Sequence, residues 1–311
     1  MRITPINLLF QNYLFFLMNN RIKTIGFLFV FPIFWFKYRT IKKQLPVIKN
    51  SIETLDELIR SKKSFARFGD GELNLISGVS IGFQKADDEL VRELIRVLTC
   101  PNRYCYIGLP YSLSSLNNFR FDAKCFWLYS IVKNWKRWRQ YCTRESYLDT
   151  QCSRFYMDIK DKSISKMIVK KWKELWQNRD TVIIEGENTK MGVGNDLFAG
   201  AKSLRRIVCP SKNAFSVYDR ILECAQQLSE DNLILIALGP TASVLAYDLS
   251  LSGYQAIDTG HLDLEYNWMQ CNAENKIPVA GRSVNELKSS HLEEIYDQSY
   301  DSQIICRVYS K

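Results

Sequence analysis

From Asp180 onward the chain alternates short continuous apolar runs with segments of helical spacing. The runs are Thr181–Ile184, Arg206–Cys209, Leu233–Leu238 and Ala256–Ile257. They end in Glu185-Gly186-Glu187-Asn188, Pro210-Ser211-Lys212-Asn213, Gly239-Pro240-Thr241 and Asp258-Thr259-Gly260-His261, respectively. Helical segments Ala214–Leu228 and Thr241–Ser252 separate the last three runs, with Gly253 as a stop. Apolar runs of this kind are strands buried on both faces. The pattern therefore predicts an α/β fold: a Rossmann-like, mostly parallel sheet with helices on both faces. Ligands of such sheets lie beyond the carboxyl ends of the strands, where the polar and glycine-rich residues fall here.

Upstream, Ser51–Arg60 predicts a short amphipathic helix with Ile52, Leu55, Leu58 and Ile59 on one side. Gly78, Gly82 and Phe83-Gln84 mark a glycine-punctuated loop, and Asp87 caps a helix whose Leu90, Leu94 and Leu98 recur every fourth place. Arg103–Leu109 predicts a buried strand ended by Pro110. Residues 111–180 are less regular. Trp127, Trp135, Trp138, Trp172 and Trp176 stand there among basic residues, but interleaved acids such as Asp122, Glu145 and Asp158 favour packed helices over a nucleic-acid surface.

Residues 1–50 differ from the rest and are expected to form a hydrophobic, basic segment ahead of one domain over 51–311. Leu8–Met18 and Ile25–Phe36 are apolar and aromatic, and neither reaches the ~20 residues of a spanning helix. No small-residue cleavage site follows Phe36, so a signal peptide is not expected. Eight of the 42 basic residues lie in this segment with no acid, which leaves 34 bases against 33 acids in 51–311. The expectation is a segment that lies on an anionic membrane surface and is separable from catalysis, on a protein that is cytoplasmic or peripheral at the inner face of the cytoplasmic membrane. The alternative is an arm packed on the body. The nearly neutral body argues against nucleic acid as a partner. Nine cysteines without a CxxC pair, and only two histidines, predict reduced thiols and no zinc site.

The candidate chemistry centres on Arg67-Phe68-Gly69-Asp70-Gly71-Glu72-Leu73. In an extended segment Asp70 and Glu72 would share a side. In a tight turn Gly69 and Gly71 would supply backbone angles that other residues resist. Either way two hard oxygen donors beside Arg67 suit a divalent metal holding a phosphate. Three further loops suit a nucleoside diphosphate. Gly239-Pro240-Thr241 leads straight from strand to helix, so unpaired N–H groups face the crevice. Lys212 follows a strand end, and Gly192-Val193-Gly194-Asn195-Asp196 is a glycine loop that lets backbone approach a ligand. The dinucleotide fingerprint fails because position 197 is Leu197, and neither a Walker A pattern nor a GxSxG elbow is present.

Four blocks together resemble a known family: Arg67 to Glu72, Gly192 to Leu197, Leu238 to Ala242, and Ala256-Ile257-Asp258-Thr259-Gly260-His261-Leu262-Asp263-Leu264-Glu265-Tyr266. In this order the set is similar to the bacterial GT-D-fold glycosyltransferases, the DUF1792 type, over about residues 60–270. The resemblance implies transfer of a sugar from a nucleotide sugar, often UDP-glucose, to a glycan acceptor, lipid-linked or on a glycoprotein, in cell-surface polysaccharide or glycoprotein synthesis. It implies that Asp70 and Glu72 hold a divalent metal, Mn²⁺ or Mg²⁺, against the diphosphate; on charge grounds Arg67 and Lys212 are expected to add positive charge to the same oxygens. His261 is a candidate base for the acceptor hydroxyl, since a histidine ordinarily titrates near neutrality. Asp258, Asp263 and Glu265 compete with it, with Glu187 and Asp196 behind them. A scaffold without catalysis and a metal-dependent phosphotransferase are the alternative functions.

Overall fold

The computed structural model describes residues 20–284 and 297–309 of the 311-residue chain. Among the described residues nine strands form one sheet in the order β1-β4-β3-β2-β8-β7-β5-β6-β9, and every pair is parallel. The strands are β1 Val47–Ile48, β2 Ser64–Arg67, β3 Cys105–Leu109, β4 Ser146–Asp149, β5 Asp180–Gly186, β6 Ser203–Cys209, β7 Leu233–Ala237, β8 Gln255–Asp258 and β9 Ile304–Arg307. The helices are α1 Asn20–Ile41, α2 Ser51–Ser61, α3 Asp70–Ile76, α4 Asp88–Thr99, α5 Phe121–Tyr141, α6 Ser165–Trp176, α7 Tyr218–Gln226, α8 Pro240–Leu251, α9 Leu262–Gln270 and α10 Gln298–Gln303. This is the expected α/β architecture with a parallel sheet.

Neighbouring residues of the central strands point to opposite faces, and the core divides accordingly. Phe65 joins Trp172, Trp176, Leu235 and Ile257 on one side. Ala66 joins Leu94, Ile107, Leu128 and Val244 on the other. In β5, Ile183 belongs to the first face, whereas Val182 and Ile184 pack with Ala242, Leu245 and Leu249 of α8. Helices on both faces explain why these strands show no polar alternation in sequence.

Local signals set the helix ends. Asn50 accepts from Ile52 N and Glu53 N, and Glu53 returns a bond to Asn50 N, so a capping box starts α2. Asp87 accepts from Glu89 N and Leu90 N at the start of α4, as expected. The predicted helix Ala214–Leu228 instead opens with a 3₁₀ turn, Ala214–Val217, before α7. The tryptophan-rich region forms α5 and α6, where Trp138, Trp172 and Trp176 are fully buried. The strands β1, β4 and β9 carry weak sequence signals because they are short.

The second half of the N-terminal segment packs on the body. Tyr38, Ile41, Leu45 and Ile48 are buried in the same core as Ala66 and Leu94. Residues 1–19, including the whole of the Leu8–Met18 run, lie outside the described residues. Among the described residues no helix is long and apolar enough to cross a membrane. The expectation of uniformly reduced thiols needs one correction: Cys224 of α7 and Cys306 of β9 form a disulfide, and the other seven cysteines are free.

Candidate functional site

The carboxyl ends of β5, β6, β7 and β8 open onto a crevice of about 130 Å³. Gly186, Asn188 and Thr189 follow β5, Ser211 follows β6, Leu238 and Gly239 follow β7, and Gly260 and His261 follow β8; all line it. Phe83 and Gln84 reach it from the loop after α3, which is latched by Asn213 N donating to Phe83 O at 2.8 Å and Lys85 N to Asn213 Oδ1 at 2.9 Å.

Gly239 opens α8 with φ +55 and ψ −140, a backbone conformation that a β-carbon resists. Pro240 takes the first helical position, where its missing N–H is not needed. Thr241 is fully buried, and its hydroxyl has no hydrogen-bond partner. It does not cap the helix, because the cap position is Gly239.

Asp70 and Glu72 sit in the first turn of α3, immediately beyond β2. The expected extended strand and special glycine turn are both replaced by a helix start. Gly69 is extended at φ −122, and a β-carbon on Gly71 would meet only Ile81 at 3.7 Å, so neither glycine is required by its backbone angles. Glu72 Oε2 accepts from Gly69 N at 2.6 Å and so caps its own helix. Burial pushes the Asp70 carboxyl above its usual range, against the opposing charge of Arg154. Burial also pushes Glu72 up to about 7, with Asp258 and Asp70 adding repulsion.

Two half-buried carboxylates in one helical turn form a hard-oxygen donor set that fits a divalent cation. Among the described residues no group of three or more His, Cys, Asp or Glu forms a metal site. The set therefore fits a cation that takes its remaining ligands from a diphosphate and water.

Most other expected ligands are committed to the protein itself. Arg67 donates to Thr150 O at 2.7 and 3.2 Å and pairs with Asp258 at 3.2 Å, so its guanidinium ties β2 to β8 instead of facing a phosphate. Asp258 also accepts from Gly260 N and Ser243 Oγ and is buried, which leaves it poorly suited to act as a base. Asp263 accepts from Gly192 N and Asn195 Nδ2 at 2.9 Å and from Arg282 Nε, although it borders the crevice. The loop Gly192 to Asp196 is thus an anchor for α9. Gly192 (φ +79) faces Phe198, Gly194 has φ +71, and Asp196 pairs with Lys173 at 2.8 Å. Lys212 is exposed and is not among the lining residues. Glu187, also exposed, accepts from Ser211 Oγ at 3.1 Å.

His261 does line the crevice, and Arg154 Nη2 lies 3.1 Å from its Nδ1 and 3.3 Å from its Nε2. The same Arg154 acts electrostatically on Asp70, so one cation links the histidine to the carboxylate pair. Glu265 accepts from Tyr156 N and Met157 N, and its Oε1 is buried without a partner. Sequence reasoning missed Arg154, whose segment has no periodicity, and Arg282, which follows the recognisable blocks. Phe83 was visible only as part of a loop.

Comparison with known proteins places this geometry. A family model described as "Glycosyltransferase GT-D fold" matches residues 65–287. The chain is 39% identical over 258 residues to a "Probable glycosyl transferase Gly" of Streptococcus gordonii, covering 82% of this chain and 38% of that protein. It is 38% identical over 272 residues to "Glycosyltransferase GlyD" of Streptococcus pneumoniae, covering 86% of this chain and 33% of that protein. The chain thus spans only 33–38% of the length of the curated relatives it matches. A solved structure of the domain of unknown function 1792, described as having a distinct glycosyltransferase fold, superposes with a TM-score of 0.84 at 36% identity, covering 88% of this chain and all of that one. A glycosyltransferase of the same type from Streptococcus sanguinis superposes with a TM-score of 0.81 at 37% identity, covering 85% of this chain and 99% of that one. The chain belongs to the GT-D-fold glycosyltransferase family.

Proposed function

We propose that this chain transfers a sugar from a nucleoside diphosphate sugar, a UDP-sugar, to a glycan acceptor, with Mn²⁺ or Mg²⁺ held by Asp70 and Glu72. One observation carries the reading: two half-buried carboxylates with raised proton affinity stand in one helical turn, and Arg154, whose charge acts on Asp70, lies 3.1 Å from the ring of a histidine that faces the crevice. A bound cation supplies charge neutralisation at the departing diphosphate. The N–H groups that open α8 and the Thr241 hydroxyl, which lacks a partner, would donate to diphosphate oxygens. Gly239, with no β-carbon of its own, makes room for the Phe83 ring that lies over that helix start. His261 would take the proton from the acceptor hydroxyl, with Arg154 fixing the plane of its ring. The resemblance favours a lipid-linked or glycoprotein glycan as acceptor.

The test is titration calorimetry of UDP with and without Mn²⁺, on the unmodified protein and on Asp70→Asn, beside turnover of UDP-sugars. Mn²⁺ should tighten UDP binding in the unmodified protein, and Asp70→Asn should lose that gain. Equal UDP affinity in all four titrations would overturn the cation assignment.

A further inference from the structure

We propose that α1 and α5 form a platform that docks the protein on an anionic membrane surface. The two helices lie side by side. Phe31 meets Phe121 with ring centroids 5.8 Å apart, Phe34 meets Tyr129 at 5.7 Å, and further along Arg139 Nη1 donates to Gln44 Oε1 at 3.0 Å. Their inner faces send Tyr38, Ile41, Leu128, Ile131 and Trp138 into the core.

The outer surface carries large apolar side chains that the core does not use. Ile33 is 58% exposed, Phe36 73%, Phe121 45% and Phe126 43%. Exposed apolar groups alone do not say what covers them; the surrounding charge does. Residues 31–49 carry five basic residues and no acid, and α5 carries five basic residues against the single carboxylate Asp122. Elsewhere the chain is balanced, so this one-signed surface is local. The ammonium groups of Lys42, Lys133 and Lys136 lie over the rings of Tyr38, Tyr129 and Trp135 at 6.0, 5.7 and 5.9 Å.

Phenylalanine and isoleucine suit the acyl boundary, tyrosine and tryptophan the headgroup level, and lysine and arginine the lipid phosphates. All three classes are present on this pair of helices. An acidic protein surface would match the charge but gives no account of Ile33 and Phe36. The platform also extends the sequence expectation: half of it is α5, outside residues 1–50.

The platform begins beside the proposed active site. Arg120, the residue before α5, donates its N–H to Asp158 O at 2.9 Å, and Asp158 is one of the charges acting on Asp70. A docked protein would thus work close to the lipid surface. That last point rests on the proposed function, whereas the docking itself does not.

The experiment is co-sedimentation of the full chain with vesicles of phosphatidylcholine alone and of phosphatidylcholine mixed with phosphatidylserine. Binding should require phosphatidylserine and fall with added salt, an arm that needs no variant. The combined variant Lys133→Glu, Lys136→Glu, Arg137→Glu should lose at least about tenfold in partitioning, and Phe36→Ser with Phe126→Ser should also weaken it. Melting curves and UDP titration of each variant separate loss of the surface from loss of the fold. Wild-type partitioning by the charge-reversed variant, or equal binding to neutral vesicles, would overturn the proposal. So would a concentration-dependent dimer, dissolved by the same substitutions, in a protein that ignores vesicles; the surface would then be a contact between copies.

Discussion

The ring of Phe83 covers Gly239 so closely that a β-carbon there would come within 2.4 Å of Cε2. Two costs therefore meet at one position: the positive φ of Gly239 and the ring above it. Gly239→Ala should destabilise by about 1–2 kcal/mol and weaken UDP binding. Phe83→Ala in the same chain should relieve the clash and leave the backbone cost. The four melting curves of a double-mutant cycle test this, and strictly additive effects would mean that ring and glycine are independent.

The cap that Glu72 provides can be separated from its proposed role at the cation. Its Oε2 caps α3 through Gly69 N, a task that a glutamine oxygen can also perform. Glu72→Gln should therefore keep the melting temperature while losing cation-dependent UDP binding and transfer. Glu72→Ala should lose both, with a stability cost of about 1 kcal/mol. Full transfer activity in Glu72→Gln would remove the carboxylate from the mechanism.

Glu265 should make stability depend on pH. Burial, helped by Asp158 and opposed by the Tyr156 and Met157 N–H groups and Arg154, pushes its carboxyl up to about 7. The native state then holds a proton that the unfolded chain releases near its ordinary pKa of 4.5. Stability from this group is complete below the unfolded value and is lost as pH rises through about 7. The loss is at most about 3 kcal/mol. Glu265→Gln, which keeps an acceptor for the two amides, should reduce the fall in melting temperature across that window without abolishing it, because burial also raises Glu72 to about 7. A wild-type slope in the mutant would assign the dependence to another group.

A chain that starts at Ser51 should fold less well than one that starts at Phe31. The shorter chain lacks Tyr38, Ile41, Leu45 and Ile48, all buried, and the strand β1. Burial of one large apolar side chain contributes about 1.5–3 kcal/mol, so the melting temperature should drop by many degrees. Equal melting curves would make residues 31–48 a dispensable arm.

The parallel sheet was legible because β5, β7 and their neighbours are apolar on both faces, which no solvent-facing element could be. The proximity of Asp70 and Glu72 was legible but their local geometry was not, since a strand, a turn and a helix start all place Asp70 near Glu72. What could not be read was competition for side chains. Arg67, Asp258 and Asp263 have the residue types of a phosphate or proton-transfer site, yet Thr150, Ser243 and Arg282 claim them from distant segments. The edge strands escaped because two to four residues carry too little pattern to stand out.

The pairing of β2 with β8 also bears on how the protein is made. Arg67 and Asp258 are 191 positions apart, and β3 and β4 reach the far half of the sheet only through β2. A ribosome extends a chain by about 5–20 residues per second, so roughly ten seconds or more pass before β2 gains its β8 neighbour. During that time Phe65 and Ala66 have one open strand edge beside them. The contacts that complete the sheet are long-range, which slows folding and prolongs exposure to aggregation. The turn that carries Asp70 and Glu72 hangs from the end of β2, so catalytic competence should appear late in synthesis, after the strand that carries Asp258 has emerged.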